Sequence, residues 1–568
     1  MKKQKRHLQR KGIAVVLTTA LLAALLAGCG SAEEGDAKPA YEEPAAAEAP
    51  ASDDEEYYYE PEYETAAPAE QSAADSTSGA VMNGANNGVK GEYDDDGLPE
   101  YYAPTESGEE YEKAEENGFC ITAVQPLSTF SADVDTASYA NIRRMIEDGY
   151  TLDEINPDAV RAEEFINYFS YDLKLPKKGE MFGVTTEIAP CPWNTDHHLM
   201  MVGMRTEAID MSEAPDSNLV FLLDVSGSMS DDDKLPLLQD SFKELVNELD
   251  ENDKVSIVTY ASGVETVLRG ARGNEKEKIC SAIDSLYASG GTNGEGGIQK
   301  AYQLAEANFI KGGNNRIILA TDGDLNIGIS DADELEKLVE KKRESGVYLS
   351  VLGFGTGNIK DNNMERLADC GNGNYAYIDS LFEAKKVLVE EMGSTLLTIA
   401  EDVKLQVEFN PGTVNAYRLI GYENRMLEAR DFNDDTKDAG EIGAGHTVVA
   451  LYEIIPVGSR DEISLKYQGK EDILYGDEFA TVGIRYKEPG KNKSKLNSYV
   501  VDEDDWSKNP SDDFVFASMA AEFAMILSDS PNKGDATLEG IMEDYSTLDI
   551  DDEYKEEFYY LVRMMAKR

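Results

Sequence analysis

The chain has 568 residues, of which 41% are hydrophobic, and it carries a formal net charge of −57. Its length predicts two to four domains. Because no basic stripe could replace the counterions of phosphate groups, this charge argues against non-specific nucleic-acid binding and favours cations, basic partners and solubility.

The first 28 residues have the parts of a secretory signal peptide. A basic stretch over residues 2–11 precedes an apolar stretch over residues 13–26, which is too short to span a membrane comfortably. The sequence Leu26-Ala27-Gly28-Cys29 follows and resembles the lipobox of bacterial lipoproteins. The resemblance implies diacylation of Cys29, which would anchor the protein outside the cytoplasm, at the cell surface or the periplasmic face. An ordinary secretory signal with a chance cysteine is the alternative.

Residues 29–118 are rich in Ala, Pro, Glu, Asp, Ser and Tyr and poor in aliphatic side chains. A segment of this composition buries too little apolar surface to fold, so we predict a disordered linker. Its simplest role is a tether that lifts the folded part off the membrane. Binding of a partner or a wall polymer by this acidic, Tyr-rich stretch is the alternative.

Residues 119–217 are predicted to form an α+β module. We expect a strand near residues 130–135, helices over 139–148 and 157–169, and strands near 182–188 and 199–206. Asp135 or Thr136 is expected to cap the first of these helices. A metal site at Asp133 and Asp135 is the less favoured interpretation of the same acidic pair.

Strands and helices alternate from residue 218 to residue 400. Strand-like stretches occur at residues 219–224, 254–260, 265–268, 316–321, 348–354 and 375–378. The central stretches are continuously apolar, as in strands covered on both faces. Apolar spacing of three and four predicts a helix over residues 235–249, with acidic residues 231–233 at its start. This pattern predicts a doubly wound, mostly parallel α/β sheet, which would bind ligands at the carboxyl ends of its strands.

The apolar period changes to two at about residue 401, which predicts a β-rich module over residues 401–505. Its candidate strands are residues 403–409, 417–422, 447–455, 463–467 and 480–486. A helical tail is predicted over residues 506–568. Strands on both sides of the α/β region need partners. We therefore hypothesise that the α/β domain is inserted into the β-rich module, with strands from residues 182–206 pairing with strands from residues 403–486.

Hydroxyl and carboxylate side chains occur at three places near strand ends of the α/β region. Asp224, Ser226 and Ser228 end the first strand. Thr292 lies in a Gly-rich loop before a helix, and Asp322 follows another apolar strand. The doubly wound topology can bring these oxygens together, and they suit Mg²⁺ or Mn²⁺ rather than zinc. Capping of helices by the two acids is the simpler alternative.

These five residues match the metal-ion-dependent adhesion site of the von Willebrand factor type A (VWA) domain family, which residues 218–400 resemble. In that family the first Asp and the two Ser lie near the metal, Thr joins when ligand is bound, and the second Asp often acts through water. The resemblance implies a Mg²⁺ cofactor, or Mn²⁺ or Ca²⁺. It also implies a protein partner that presents a carboxylate, because neutral hydroxyls leave the cation under-neutralised.

Three further stretches, residues 128–136, 161–169 and 190–194, resemble a bacterial family of VWA lipoproteins with additional N- and C-terminal modules. This similarity covers nearly all of the chain after residue 119. It implies a membrane-anchored lipoprotein that serves adhesion or the assembly of an envelope complex. A structural scaffold that does not use its metal is the alternative function.

A metal-dependent hydrolase is the less favoured alternative. His7, His197, His198 and His446 do not have the spacing of zinc ligands, and the chain has no Gly-x-Ser-x-Gly sequence. The Gly-rich loop at residues 290–297 lacks the Gly-Lys-Ser/Thr ending of a phosphate-binding P-loop. We therefore predict a binding protein and not an enzyme.

Five cysteines are too few for a disulfide scaffold. Cys280 and Cys370 lie in helical patterns and are predicted to be small buried side chains. Pairing between Cys120 and Cys191 is left open.

Overall fold

The computed structural model describes residues 109–113, 115–133, 135–209, 214–323, 332–357, 359–393, 397–463 and 477–568. The predicted signal peptide, Cys29 and most of the predicted linker lie outside these ranges. So does the predicted strand at residues 463–467, apart from its first residue.

The α/β region is built on a sheet of six strands in the spatial order β10-β9-β8-β5-β6-β7. Their bounds are β5 Ser217–Asp224, β6 Lys254–Tyr260, β7 Val264–Arg272, β8 Asn314–Thr321, β9 Tyr348–Phe354 and β10 Tyr375–Ile378. All neighbouring pairs are parallel except β6 and β7. The predicted doubly wound, mostly parallel sheet is therefore confirmed.

Helices cover both faces of this sheet. Their bounds are α3 Leu235–Glu248, α4 Lys276–Asp284, α5 Gly294–Ala307, α6 Ala332–Arg343, α7 Asp361–Cys370 and α8 Leu381–Lys385. Successive residues of β5 alternate between the two cores: Phe221 packs with α3, α4 and α8, whereas Leu222 packs with α5, α6 and α7. Burial of both faces explains why these strands are apolar without interruption.

Strands that precede the α/β domain pair with strands that follow it. One antiparallel sheet has the order β1-β12-β14-β4-β3, and the other contains β13-β11-β15-β16 with β2 on β11. Their bounds are β1 Cys120–Ile121, β2 Leu127–Ser131, β3 Phe182–Cys191, β4 Asn194–Thr206, β11 Thr398–Phe409, β12 Val414–Ile420, β13 Gly440–Gly443, β14 Thr447–Pro456, β15 Glu478–Lys487 and β16 Lys495–Asp502. Met201 lies opposite Leu451, and Phe130 lies opposite Leu405. The predicted pairing across the insertion is confirmed.

The two antiparallel sheets face each other across a shared core, and β4 shows how its sequence serves two layers. Met200, Val202 and Met204 point into the core between the sheets. Leu199 and Met201 point the other way, into a core shared with helices. The alternation of side chains along a strand thus places apolar residues on both faces of β4.

The helical layer combines both ends of the described chain. Its helices are α1 Ala137–Glu147, α2 Ala162–Asn167, α9 Asp512–Leu527, α10 Leu538–Tyr545 and α11 Glu553–Lys567. The ring of Phe558 on α11 lies 5.6 Å from Phe169, 5.2 Å from Phe516 and 5.5 Å from Phe523, centroid to centroid. The predicted helical tail is therefore part of the core that contains α1 and α2. Among the described residues no helix combines the length and the apolar character needed to cross a membrane.

A buried arginine connects the VWA-like region to this helical layer. The guanidinium of Arg143 on α1 lies 2.6 Å from Asp379 and 2.8 Å from Glu383, which both follow β10. It also lies 3.3 Å from Glu557 on α11. One side chain thus bridges three parts of the chain that are far apart in sequence.

The predicted N-terminal cap of α1 is confirmed in position at Thr136 but not as a side-chain hydrogen bond. Thr136 occupies the cap position, but its side chain makes no capping hydrogen bond. Asp135 instead accepts a hydrogen bond from the backbone N–H of Tyr375 and pairs with Arg425. Tertiary partners therefore outcompete the local cap at this position.

The predicted helix over residues 157–169 is shorter and divided. A 3₁₀ turn, Pro157–Ala159, precedes α2, and Val160 and Arg161 between them have extended backbones. The N–H of Arg161 donates to the Ser138 hydroxyl, and its guanidinium lies beside Glu164. These contacts favour the extended backbone over a continuous helix.

The predicted linker extends too far towards the C-terminus. Glu109 accepts hydrogen bonds from Arg144 and from the Gly357 N–H. Glu116 accepts from buried Arg418. Residues of the stretch 109–118 are therefore fixed against the folded body by charged side chains of opposite sign.

The four cysteines that the structure describes are free thiols, so Cys120 and Cys191 are not paired. Cys191 is buried, and burial raises its pKa above the ordinary range. Cys280 and Cys370 lie in α4 and α7 as predicted, but they are half-buried.

Candidate metal centre

The first part of the candidate site is the loop that leaves the central strand β5. Asp224 is the last residue of β5 and is fully buried. Its Oδ1 accepts a hydrogen bond of 2.8 Å from the Ser226 N–H, which folds the loop back towards the carboxylate. The hydroxyls of Ser226 and Ser228 lie 3.0 Å apart. Three of the five predicted ligands therefore meet in one turn.

The second part comes from the neighbouring strand β8. Leu223 lies opposite Ala320, so both strands end at the same edge of the sheet. The Thr321 hydroxyl donates to Asp224 Oδ2 at 3.2 Å, and Asp322 follows with a buried carboxylate. The predicted proximity of Asp224 and Asp322 follows directly from the parallel register.

The third part is the loop that carries Thr292. The Gly227 N–H donates to the Gly290 carbonyl at 3.0 Å, and the Ser289 N–H donates to the Val225 carbonyl at 2.8 Å. These bonds hold the two loops together, with Thr292 half-buried at the start of α5. Gly290 has a φ of +82°, which favours glycine because this backbone conformation strains other residues.

Burial dominates the electrostatics of the site. It raises the pKa of Asp224 to about 6, and the charge of Asp322 contributes to this rise. Burial also raises the pKa of Tyr260 well above its ordinary range, with the charge of Asp224 as the next cause. The site thus contains two carboxylates and several hydroxyl oxygens, with the buried Tyr260 hydroxyl nearby.

This donor set fits a small divalent cation. Carboxylate and hydroxyl oxygens are hard ligands of the kind that Mg²⁺ and Mn²⁺ prefer. A cation would favour the ionised form of Asp224 and would compensate the burial of its charge. The residues that would hold it are Asp224, Ser226, Ser228, Thr292 and Asp322.

Lys234 is a further charged group at the site, and the sequence prediction missed it. Its ammonium lies 3.2 Å from Asp322 Oδ2, and only 6% of its side chain is exposed. It occupies the cap position of α3, where the helix dipole disfavours a cation. That unfavourable placement is the signal that could have identified it.

A second carboxylate cluster lies elsewhere and is a different kind of site. Carboxylate oxygens of Asp133, Asp135 and Asp369 lie within 4.8 Å of one another. The guanidinium of Arg425 lies among them, at 3.3, 2.9 and 2.7 Å respectively. The acidic pair Asp133 and Asp135 therefore belongs to an ion-pair cluster and does not cap the helix, and the alternative metal site at this pair stays a prediction.

Family comparisons divide the chain into three consecutive regions. The profile described as "von Willebrand factor type A domain" matches residues 218–391. A profile described as "von Willebrand factor" matches residues 105–201, and one described as "Uncharacterized protein YfbK, C-terminal" matches residues 394–567. The first of these profiles covers the α/β sheet with the candidate metal centre, and the last covers the β-rich region and the C-terminal helices.

Curated relatives extend this similarity over most of the chain. The chain is 45% identical over 431 residues to "Uncharacterized protein YfbK" of Escherichia coli (strain K12), and this match covers 74% of each protein. It is 28% identical over 212 residues to "Uncharacterized protein sll0103" of Synechocystis sp., covering 36% of this chain and 49% of that protein. Inter-alpha-trypsin inhibitor heavy chain H3 of Mesocricetus auratus is 27% identical over 195 residues, covering 32% and 22%.

The solved structure titled "von Willebrand factor type A from Catenulispora acidiphila" aligns with 70% of this chain and 91% of its own, at 15% identity and a TM-score of 0.39. The extent of the match to YfbK, and not this alignment, decides the family. The chain therefore belongs to the VWA-domain family of Escherichia coli YfbK, with a C-terminal module of the YfbK type after the VWA domain.

Proposed function

We propose that this protein is a surface lipoprotein, anchored through Cys29, whose VWA domain binds Mg²⁺ and through it a carboxylate of a protein partner. The convergence of Asp224, Ser226 and Ser228 with Asp322 at one sheet edge carries this proposal. VWA domains have a fold of the protein-interaction type, which supports binding as the activity. Mn²⁺ or Ca²⁺ are alternative occupants with the same oxygen preference.

The donor set explains why such a centre could accept an acidic partner. Ser226, Ser228 and Thr292 offer neutral hydroxyls, so the two aspartates would at most neutralise the cation and would not give the centre a negative charge that repels a carboxylate. A carboxylate of the partner can complete the coordination of the cation and gain a charge-assisted contact. This mechanism needs no bond breaking, so the proposal concerns binding and not turnover.

The decisive experiment compares Mg²⁺-dependent stabilisation in the wild type and in Asp224→Ala. A cation present at one hundred times its Kd stabilises the folded state by about 2.7 kcal/mol. We expect Mg²⁺ to raise the Tm of the wild type relative to EDTA and to leave the Tm of Asp224→Ala unchanged. Asp240→Ala, an exposed carboxylate on α3, is the matched control and should behave like the wild type. Equal Mg²⁺ shifts in wild type and Asp224→Ala would refute the site.

A structural scaffold that does not use a metal is the second candidate. Its support is Lys234, whose ammonium already neutralises one of the two carboxylates. A wild-type Tm that does not respond to Mg²⁺, Mn²⁺ or Ca²⁺ would favour this scaffold. A metal-dependent hydrolase remains less favoured because it needs a general base near the metal-bound water, whereas His197 on β4 is paired with Glu453 and Asp461.

A further inference from the structure

The position of Lys234 is fixed from two sides. Its ammonium pairs with Asp322, which is 1% exposed, and the exposed Asp231 carboxylate lies 4.0 Å away. Its aliphatic stem lies against Gly355, where an added Cβ would approach Lys234 Cγ to 2.4 Å. The absence of a side chain at Gly355 thus leaves the space in which the lysine stem lies.

The loop after β9 keeps this arrangement in place. Gly355 has a φ of +78°, and its carbonyl accepts a hydrogen bond of 2.9 Å from the buried Tyr377 hydroxyl. The neighbouring Thr356 donates to Asp233 at 3.2 Å. Lys234 is therefore a buried side chain whose position is fixed by its contacts with Asp322 and with the loop after β9.

We propose that Lys234 sets the charge of the metal centre, so that it weakens cation binding but makes the loaded centre select an anionic group. This inference rests on the proposed function. With a divalent cation bound, the two aspartates alone would give a neutral centre. The ammonium of Lys234 adds one positive charge in a buried setting, where charges interact more strongly than in water.

The same charge acts in opposite directions on the two binding steps. It repels the incoming cation, because both are positive. After the cation is bound, it attracts a carboxylate that approaches the exposed side of the centre. A centre of this kind trades affinity for the metal against affinity for the acidic ligand, and it discriminates against neutral ligands that offer the same oxygen atoms.

The test uses Lys234→Met in the whole protein, since methionine retains most of the stem and removes the charge. Binding of Mn²⁺ is measured by electron paramagnetic resonance of the free ion. Binding of acetate to the Mn²⁺-loaded protein is measured by paramagnetic relaxation of its methyl protons, with acetamide as the neutral probe. Lys243→Met on α3 is the matched control, because Lys243 is a half-buried lysine that pairs with Asp240 and Asp284 instead of with a predicted metal ligand.

We expect Lys234→Met to bind Mn²⁺ at least about tenfold more tightly, which corresponds to a single charge acting at a few ångströms through a water-like dielectric. Acetate binding to the loaded variant should weaken by a similar factor, whereas acetamide binding and Lys243→Met should not change. Lys234→Arg, which keeps the charge, should weaken Mn²⁺ binding relative to Lys234→Met.

The outcomes separate this inference from the proposed function. If wild type binds Mn²⁺ and Asp224→Ala does not, but Lys234→Met binds Mn²⁺ equally or more weakly, the charge role of Lys234 is refuted while the metal site stands. If only Lys234→Met binds Mn²⁺, the ammonium replaces the metal, which supports its charge role and overturns the proposed function. If neither binds Mn²⁺, both are refuted. Far-ultraviolet circular dichroism shows whether Lys234→Met is folded. If it is misfolded, the comparison of wild type with Lys234→Arg decides the charge role. A loss of Mn²⁺ affinity in Lys234→Arg, which retains the charge, would contradict that role.

Discussion

Arg425 is the side chain whose loss should most clearly uncouple the VWA domain from the flanking modules. Its guanidinium contacts carboxylates that precede α1 and carboxylates of α7: Asp133, Asp135, Glu365 and Asp369, at 3.3, 2.9, 2.8 and 2.7 Å. The arginine is 11% exposed, so these ion pairs are largely screened from water. The Arg425→Met variant would leave four carboxylates without this cation.

We expect Arg425→Met to lower the free energy of unfolding by about 3–5 kcal/mol at pH 8, the cost of removing one partner from a buried ion pair. Burial raises the pKa of Asp135 and Asp369 above the ordinary range, and Arg425 opposes this rise. Without the arginine the two pKa values rise further. The folded state then takes up protons more readily than the unfolded state, so the lost stability returns as the pH falls below these folded-state pKa values.

The assay is urea unfolding at pH 8 and at pH 5.5, followed by the fluorescence of Trp193 and Trp506, the two tryptophans of the chain. Hydrogen exchange of the α7 amides reports whether this helix loosens before the rest unfolds. Arg430→Met is the control, because Arg430 is 86% exposed. An equal loss of stability at both pH values, or a loss no larger than that of Arg430→Met, would show that Arg425 does not compensate the charges of these buried carboxylates.

Two further predictions concern a buried carboxyl and the lipid anchor. Burial raises the pKa of Glu522 to about 8, and its Oε2 has no hydrogen-bond partner among the described residues. The free energy of unfolding should therefore fall as the pH rises from about 4.5, the ordinary pKa of a glutamate, to about 8, the pKa in the folded state. Glu522→Gln should remove a pH-dependent loss on the order of 5 kcal/mol, and exposed Glu543→Gln should not. Parallel pH profiles of wild type and Glu522→Gln would contradict this expectation. Cys29→Ser should move the protein from the membrane fraction to the soluble fraction or the medium; unchanged fractionation would contradict the anchor.

The sequence predicts the central sheet and the convergence of Asp224 with Asp322 because local signals determine both. β5 is a continuous apolar stretch that ends in Asp224, and in a parallel sheet the end of each strand lies at one edge. The register that places Leu223 opposite Ala320 then brings Asp322 to the same edge. Strand ends and topology were sufficient here, without knowledge of individual contacts.

The remaining features depend on partners that are distant in sequence. Asp135 has the local pattern of a helix cap, but its contacts with Arg425 and Tyr375 come from residues more than 200 positions away. β16 was missed because it lies at a sheet edge and buries only Val501 among its residues, so its sequence has no clear period of two. β13 was missed because it contains two glycines and only four residues.

The two carboxylate clusters of the described chain, one around Arg425 and one beside Lys234, differ in how much room their own cation leaves for a metal ion. Arg425 presents a planar fork of donors that contacts four carboxylates at once, so its guanidinium already lies among these oxygens. Lys234 is a single point charge, and its ammonium pairs with Asp322 at the VWA edge at 3.2 Å. The buried carboxylate of Asp224 accepts hydrogen bonds from neutral donors, among them the Ser226 N–H and the Thr321 hydroxyl. A metal at Asp133 would have to displace this guanidinium, whereas a metal at Asp224 would meet neutral donors, and this difference favours the VWA edge as the proposed metal centre.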